Sequence, residues 1–210
     1  MSLLVALLTS CSINVSPNLL HPLIQLESGF NPYAIGVVGS SVKQPNTLTD
    51  FIRTISNLDN EQKNYSIGLA QINIKNLRRF NIPAIDAVEP CNNIKLSSVI
   101  LNECYKKYKD IGKTLSCYYS GNDSVGFQRD FNNSSYVERF ISSYENSKNN
   151  VSINFDYDAF YSLKNQVNQF NKSTPIKTQT IRTVKTNNHQ QKNNSSTNKR
   201  FYKTINLNEE

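Results

Sequence analysis

Apolar residues recur at helical spacing through most of the first 145 positions. Leu20, Leu23, Ile24 and Glu27 stand at i, i+3, i+4 and i+7, which at 3.6 residues per turn places all four on one face. Ser16-Pro17 reads as an N-cap and first helical position, and Gly29 as a stop, so the spacing predicts a helix over 17–28. Pro22 falls inside it and is expected to remove one backbone bond and bend the helix. "TLTDFIRTISNL" (47–58) is a second helix, capped by Thr47, with Asp50 third in a box-like cap and Leu48, Phe51, Ile52, Ile55 and Leu58 as its apolar face. Further helices are expected at about 74–80, 93–108, 113–120 and 135–145, the last packing through Tyr136, Val137, Phe140, Ile141 and Tyr144, and a weak one at 156–170. Period-two alternation is confined to "AIGVVGS" (34–40), whose glycines suggest a small hairpin or turn. The fold class is mainly α.

Within this pattern Glu27 stands out, because it puts a carboxyl on an apolar face. Desolvation disfavours the charged form there, raises the pKa and makes a candidate general acid. A helix-end glutamate that caps a loop or pairs with an arginine would show the same spacing.

The chain of 210 residues has room for one ordinary domain and an extension, and its charge of +7 is unevenly spread. Lys and Arg number 14 against 12 acidic residues over 1–150, and 9 against 4 over 151–210. The expected organisation is a domain at 1–145, a linker or weak helix at 146–170, and a disordered, basic, Asn/Lys-rich tail at 171–210. Such a tail can touch nucleic acid, lipid headgroups or acidic wall polymers, or simply be solvated. Nucleic acid is the weaker partner, since few aromatics are interleaved with the charges.

"MSLLVALLTSC" is apolar but short and lacks a basic n-region. It reads either as an export or lipidation signal ending at Cys11 or as the first helix of the domain. No stretch approaches the roughly 20 apolar residues of a membrane span. The four cysteines, Cys11, Cys91, Cys104 and Cys117, lack metal-ligand spacing, so disulfides and an oxidising compartment are expected, with buried free thiols as the alternative. In a helix, Cys91 and Cys104 would lie roughly 19 Å apart, beyond disulfide reach. Cys104 and Cys117 flank the turn at Asp110 to Gly112 and can face each other across a hairpin, which leaves Cys11 for Cys91.

Two further stretches bear on Glu27. "YSIGLAQIN" (65–73) sets Gly68 and Ala70 before Gln71 and Asn73, whose amides suit sugar hydroxyls and N-acetyl groups. "CYYSGN" (117–122) joins aromatic faces to a glycine turn, as sugar grooves do. Taken in order, "ESGFNP", "GLAQIN" and "CYYSGN" resemble the lytic transglycosylases with a goose-lysozyme-like fold. "NPYAIGVVGS", "QPNTL", "NYSIGLAQIN", "PCNNIKLSSVILNECY" and "SSYVERF" are most similar to the members that accompany type IV secretion systems, over residues 17 to about 141.

The resemblance implies a lysozyme-like domain without cofactor or metal, working on peptidoglycan in the periplasm, with the tail available to secretion-system components. It implies Glu27 as the catalytic acid and Gln71 as a groove residue. It also gives Tyr118 the role of the tyrosine near the acid and Tyr136 that of a later tyrosine at the site, with Ser66 and Asn73 as groove or supporting residues. The family commonly has Ala-Tyr-Asn where this chain has Cys117-Tyr118-Tyr119, so the contact at Tyr119 is altered. Ordinary glycosidases need two carboxyl groups. After Glu27 the next acids, Asp50, Asp59 and Glu61, lie in or beside a helix that looks structural, leaving one credible carboxyl. That fits the family's single-acid reaction, with a hydrolase on the same fold and a non-catalytic wall-binding protein as alternatives.

Overall fold

The computed structural model describes residues 3–147. Eight α-helices and five short strands occur among them: α1 Leu3–Cys11, α2 Pro17–Ser28, β1 Ile35–Val37, α3 Leu48–Asn60, β2 Tyr65–Ile67, β3 Ile72–Asn73, α4 Ile74–Phe80, α5 Ala84–Ala87, α6 Pro90–Tyr108, α7 Ile111–Ser120, β4 Arg129–Phe131, β5 Ser134–Ser135 and α8 Tyr136–Asn146. The mainly α, lysozyme-like expectation holds. The expected tail at 171–210 and all but the first two residues of the 146–170 stretch lie outside the described residues.

Local chemistry explains the helix limits. Ser16 Oγ accepts from Asn18 N at 3.3 Å to open α2, and Gly29 ends it in the left-handed region at φ 57°, donating to Gln25 O at 3.0 Å. Leu20, Leu23 and Ile24 are fully buried, and the carbonyl of Pro22 accepts from Ser143 Oγ of α8 at 2.9 Å. In α3, Asp50 N donates to Thr47 Oγ1 at 3.1 Å while the Thr47 hydroxyl donates to Asp50 Oδ2 at 2.8 Å.

Helix α6 starts at Pro90, not at residue 93. Glu89 caps it through Cys91 N and Asn92 N at 3.0 and 2.8 Å, and Pro90 takes the first helical position, the same signal as at Pro17. Similarly, Asp110 Oδ1 accepts from Lys113 N at 2.8 Å, which starts α7 at Ile111.

The β structure is spread more widely than one hairpin. Strands β1, β2 and β3 form an antiparallel sheet in that order, pairing Gly36 with Ser66 and Ser66 with Asn73, while β4 and β5 make a separate ribbon. "AIGVVGS" supplies only the first strand of the larger sheet. Its partners are too short to show alternation.

The apolar start is helical: α1 packs on α2 and α6 with Leu4, Leu8 and Cys11 buried. The cysteines pair as expected, Cys11 with Cys91 and Cys104 with Cys117, tying α1 to the start of α6 and closing the α6–α7 hairpin. These bridges span 80 and 13 residues. Loop-closure entropy therefore predicts that removing the first pair as Ser/Ser costs about 4.5 kcal/mol and the second about 3 kcal/mol, read by urea unfolding under oxidising conditions.

Candidate functional site

The turn that carries the glycine-rich motif is held from α6. Asn93 of α6, fully buried, accepts from Ala70 N at 2.8 Å through Oδ1 and donates through Nδ2 to Ile67 O and Ala87 O at 3.2 and 2.8 Å. Gly68 sits at φ +79°, and a Cβ there would collide with the Asn93 amide. Gln71 is also left-handed, at φ 48°. Its Nε2 donates to Ala34 O and Gly68 O, both at 3.0 Å, and its Oε1 lies 2.7 Å from where a Gly36 Cβ would stand. The Gln71 side chain thus lies across β1, with the Gly36 position kept clear for it.

Asn73 is committed to structure at both ends of its amide. Oδ1 caps α4 by accepting from Lys75 N at 3.0 Å, and Nδ2 donates to Ser66 Oγ at 3.2 Å. On the opposite wall, Tyr118 of α7 donates its hydroxyl to Ala70 O at 2.6 Å, tying α7 to the turn. The neighbouring Tyr119 turns the other way, stacking on Tyr136 of α8 with ring centroids 4.5 Å apart and an interplanar angle of 15°.

Ser66, Gln71, Asn73, Tyr118 and Tyr119 all line one groove of about 460 Å³, together with the Cys104–Cys117 bridge, Lys75, Arg79 and Glu103. Glu27 and Tyr136 do not line it. They are reached through the aromatic wall: Tyr119 stacks on Tyr136, and the Tyr136 hydroxyl donates to Glu27 Oε1 in a very short hydrogen bond. Glu27 is half-buried, and desolvation of its carboxyl pushes its pKa up to about 7 against the opposing pull of the Tyr136 hydrogen bond and the Arg139 charge. Burial, and then the charge of Glu27, push the Tyr118 and Tyr136 phenols well above their usual range, so both stay protonated donors. Among the described residues no group of three His, Cys, Asp or Glu side chains could hold a metal ion.

Comparison with known proteins fits this geometry. The family model described as "Transglycosylase SLT domain" matches residues 9–167. The chain belongs to the SLT transglycosylase family. It is similar to proteins named "Type IV secretion system protein virB1" from Brucella abortus biovar 1, Brucella melitensis biotype 1 and Brucella suis biovar 1, each 39% identical over 143 residues. That alignment covers 63% of this chain and 60% of each relative, so the chain spans about three fifths of the curated relatives it matches. No solved structure matches.

The SLT domain also brings in two residues that the sequence pattern did not single out. Asp130 of β4 accepts from Tyr119 Oη at 2.6 Å and from Arg139 Nη1 at 2.5 Å, and Arg139 also donates to Ser134 O at 2.7 Å. These hydrogen bonds hold the Asp130 carboxyl well below the usual carboxylate range. Arg139 was within reach of pattern reading, since it stands three residues beyond Tyr136 on one helix face. Asp130 was not, because it lies in a two-strand ribbon whose register shifts between Arg129 and Phe131.

The raised pKa of Glu27 makes stability depend on pH. Unfolded, the carboxyl ionises near 4.5; folded, it stays neutral until about 7, so its neutral form favours folding at low pH and that advantage is lost between pH 4.5 and 7. The ceiling of the effect is roughly 3 kcal/mol. Glu27→Gln is neutral throughout, so its stability relative to wild type should rise by 1 to roughly 3 kcal/mol between pH 4.5 and pH 8, measured by denaturant unfolding at the two pH values. A constant difference would mean that the carboxyl is not desolvated.

Proposed function

We propose that this SLT-family domain is a peptidoglycan lytic transglycosylase that works in the periplasm and opens the cell wall locally for a type IV secretion system. The observation that carries the reading is the carboxyl of Glu27, buried, hydrogen-bonded by Tyr136, its pKa raised to about 7, and joined through the Tyr136–Tyr119 stack to a groove lined by amides and tyrosines. The secretion role rests on the names of the virB1 relatives. The basic tail would be the part that meets secretion-system components.

In the proposed reaction, protonated Glu27 donates to the oxygen linking N-acetylmuramic acid to N-acetylglucosamine. The bond from C1 to that oxygen breaks, and the substrate's own N-acetyl group steadies the positive charge at C1. Glu27, now ionised, takes the proton from the C6 hydroxyl, and O6 bonds to C1 to give a 1,6-anhydro end. Glu27 ends protonated, as it began, and water is not consumed. Tyr136 occupies Oε1, which leaves Oε2 to face the scissile oxygen. Ser66, Gln71, Asn73, Tyr118 and Tyr119 would form the wall along which the sugars lie, Tyr119 through its exposed ring face, while Gln71, Asn73 and Tyr118 also shape that wall through the hydrogen bonds they already make.

One feature favours a second reading, a hydrolase that cleaves the same bond with water: a second carboxylate, Asp130, stands in the same side-chain network. Against it, both oxygens of Asp130 already accept strong hydrogen bonds and its basicity is depressed, which makes it a poor base or nucleophile. Mass spectrometry of the released muropeptides decides between the two. The transglycosylase gives ends lighter by one water than reducing ends, whereas reducing ends alone would establish the hydrolase.

Glu27→Gln should lose at least about a hundredfold of lytic activity on purified peptidoglycan while remaining folded. Activity retained in that variant would remove Glu27 from the chemistry. Because the acid must be protonated, wild-type kcat should hold below pH 7 and fall as pH rises through about 7.

A further inference from the structure

We propose that Tyr119, Asp130 and Arg139 form a clasp whose task is to hold the Tyr136 ring so that its hydroxyl meets Glu27, which makes Tyr119 a positioning residue as well as a wall of the groove. The inference rests on the reading of Glu27 as the acid.

The geometry closes a loop through three elements. Tyr136 and Arg139 stand three residues apart on α8. Arg139 donates to Asp130 on β4, Asp130 accepts from the Tyr119 hydroxyl on α7, and the Tyr119 ring returns to stack on Tyr136. Arg139 is further fixed by Ser134 O, and Asp130 by Phe131 N at 2.5 Å, so neither end of the tether swings freely. A tyrosine hydroxyl can reach a buried carboxyl only if its two side-chain torsions are restrained. The Tyr136 ring has Tyr119 lying nearly parallel to it, and Tyr119 is held at its own far end by a charge-assisted hydrogen bond.

The position of Tyr119 adds to the argument. It is 44% exposed, so its ring is not there to fill the core. The same stretch anchors its other residues elsewhere: Cys117 to Cys104, and Tyr118 to Ala70 O. Three consecutive residues of α7 thus bind three different parts of the domain, and Tyr119 is the one tied to the partner of the acid.

Glu27 is faced by Tyr136 and Arg139 from α8 and by Tyr118 from α7, and α1, which also packs on α2, brings no charged side chain. Tyr136 and Arg139 both pull the Glu27 pKa down, so loosening Tyr136 lets it rise. The test is kcat and KM against pH on a soluble, defined oligomer of alternating N-acetylmuramic acid and N-acetylglucosamine, for wild type, Tyr119→Ala, Tyr119→Phe and Glu27→Gln. In Tyr119→Ala, kcat should fall roughly ten- to a hundredfold and its descending limb should move to higher pH. Tyr119→Phe keeps the ring but loses the tether to Asp130, so its kcat and limb should fall between those of Tyr119→Ala and wild type; wild-type kcat and limb in Tyr119→Phe would overturn the clasp by showing that the stack alone suffices. A rise in KM with kcat and limb unchanged in Tyr119→Ala would reduce Tyr119 to a sugar platform and overturn the clasp, while leaving Glu27 as the acid. Activity surviving in Glu27→Gln would bring down the acid and the clasp together.

Discussion

The contact on which this domain turns is the hydrogen bond from Tyr136 to Glu27, two residues 109 positions apart in the chain. It forms where α2 packs along α8, and it matters because the carboxyl it meets has lost its water. Burial pushes its pKa up, the tyrosine and Arg139 pull it down, and the balance stands at about 7. The balance leaves a carboxyl that can give up a proton and recover it, as the proposed reaction requires. It depends on the docking of α2: Leu20, Leu23 and Ile24 anchor one face in the core, Ser143 binds the Pro22 carbonyl, and Gly29 ends the helix just beyond the acid.

The groove is built by a second, independent device. Asn93 uses both ends of its amide to hold the turn at residues 67–70, and the glycines at 36 and 68 leave room for Gln71 and for Asn93 itself. Tyr118 then joins that turn to α7 through the Ala70 carbonyl. Buried polar groups arranged this way are stabilising only when every partner is in place, which is why one loop, two helices and a strand must be assembled before the groove exists. The disulfide at Cys104 and Cys117 fixes α7 against α6 beside the same tyrosines.

Much of this was legible from local rules. The cap at Ser16-Pro17, the stop at Gly29, the apolar stripe of α2 and the pairing of the cysteines follow from spacing and reach. The earlier start of α6 was also written locally, in Glu89 and Pro90, by the rule that served for Pro17. The sheet was harder, because β2 and β3 are only three and two residues long and are held by register with β1 and by the turn between them. Asn73 was read as a groove residue, and its role as the cap of α4 was not seen. Asp130 was invisible, since nothing local says that a ribbon carboxylate will meet a tyrosine eleven residues earlier. Long-range side-chain pairs are what pattern reading leaves out.

The most direct test is the titration of the Glu27 carboxyl itself. Carbon-13 NMR of the glutamate side-chain carboxyls should show one resonance, absent from Glu27→Gln, that titrates with an apparent pKa near 7. A Glu27 resonance titrating near 4.5 would mean that the carboxyl is solvated and ionised at neutral pH, and would contradict the account at its centre.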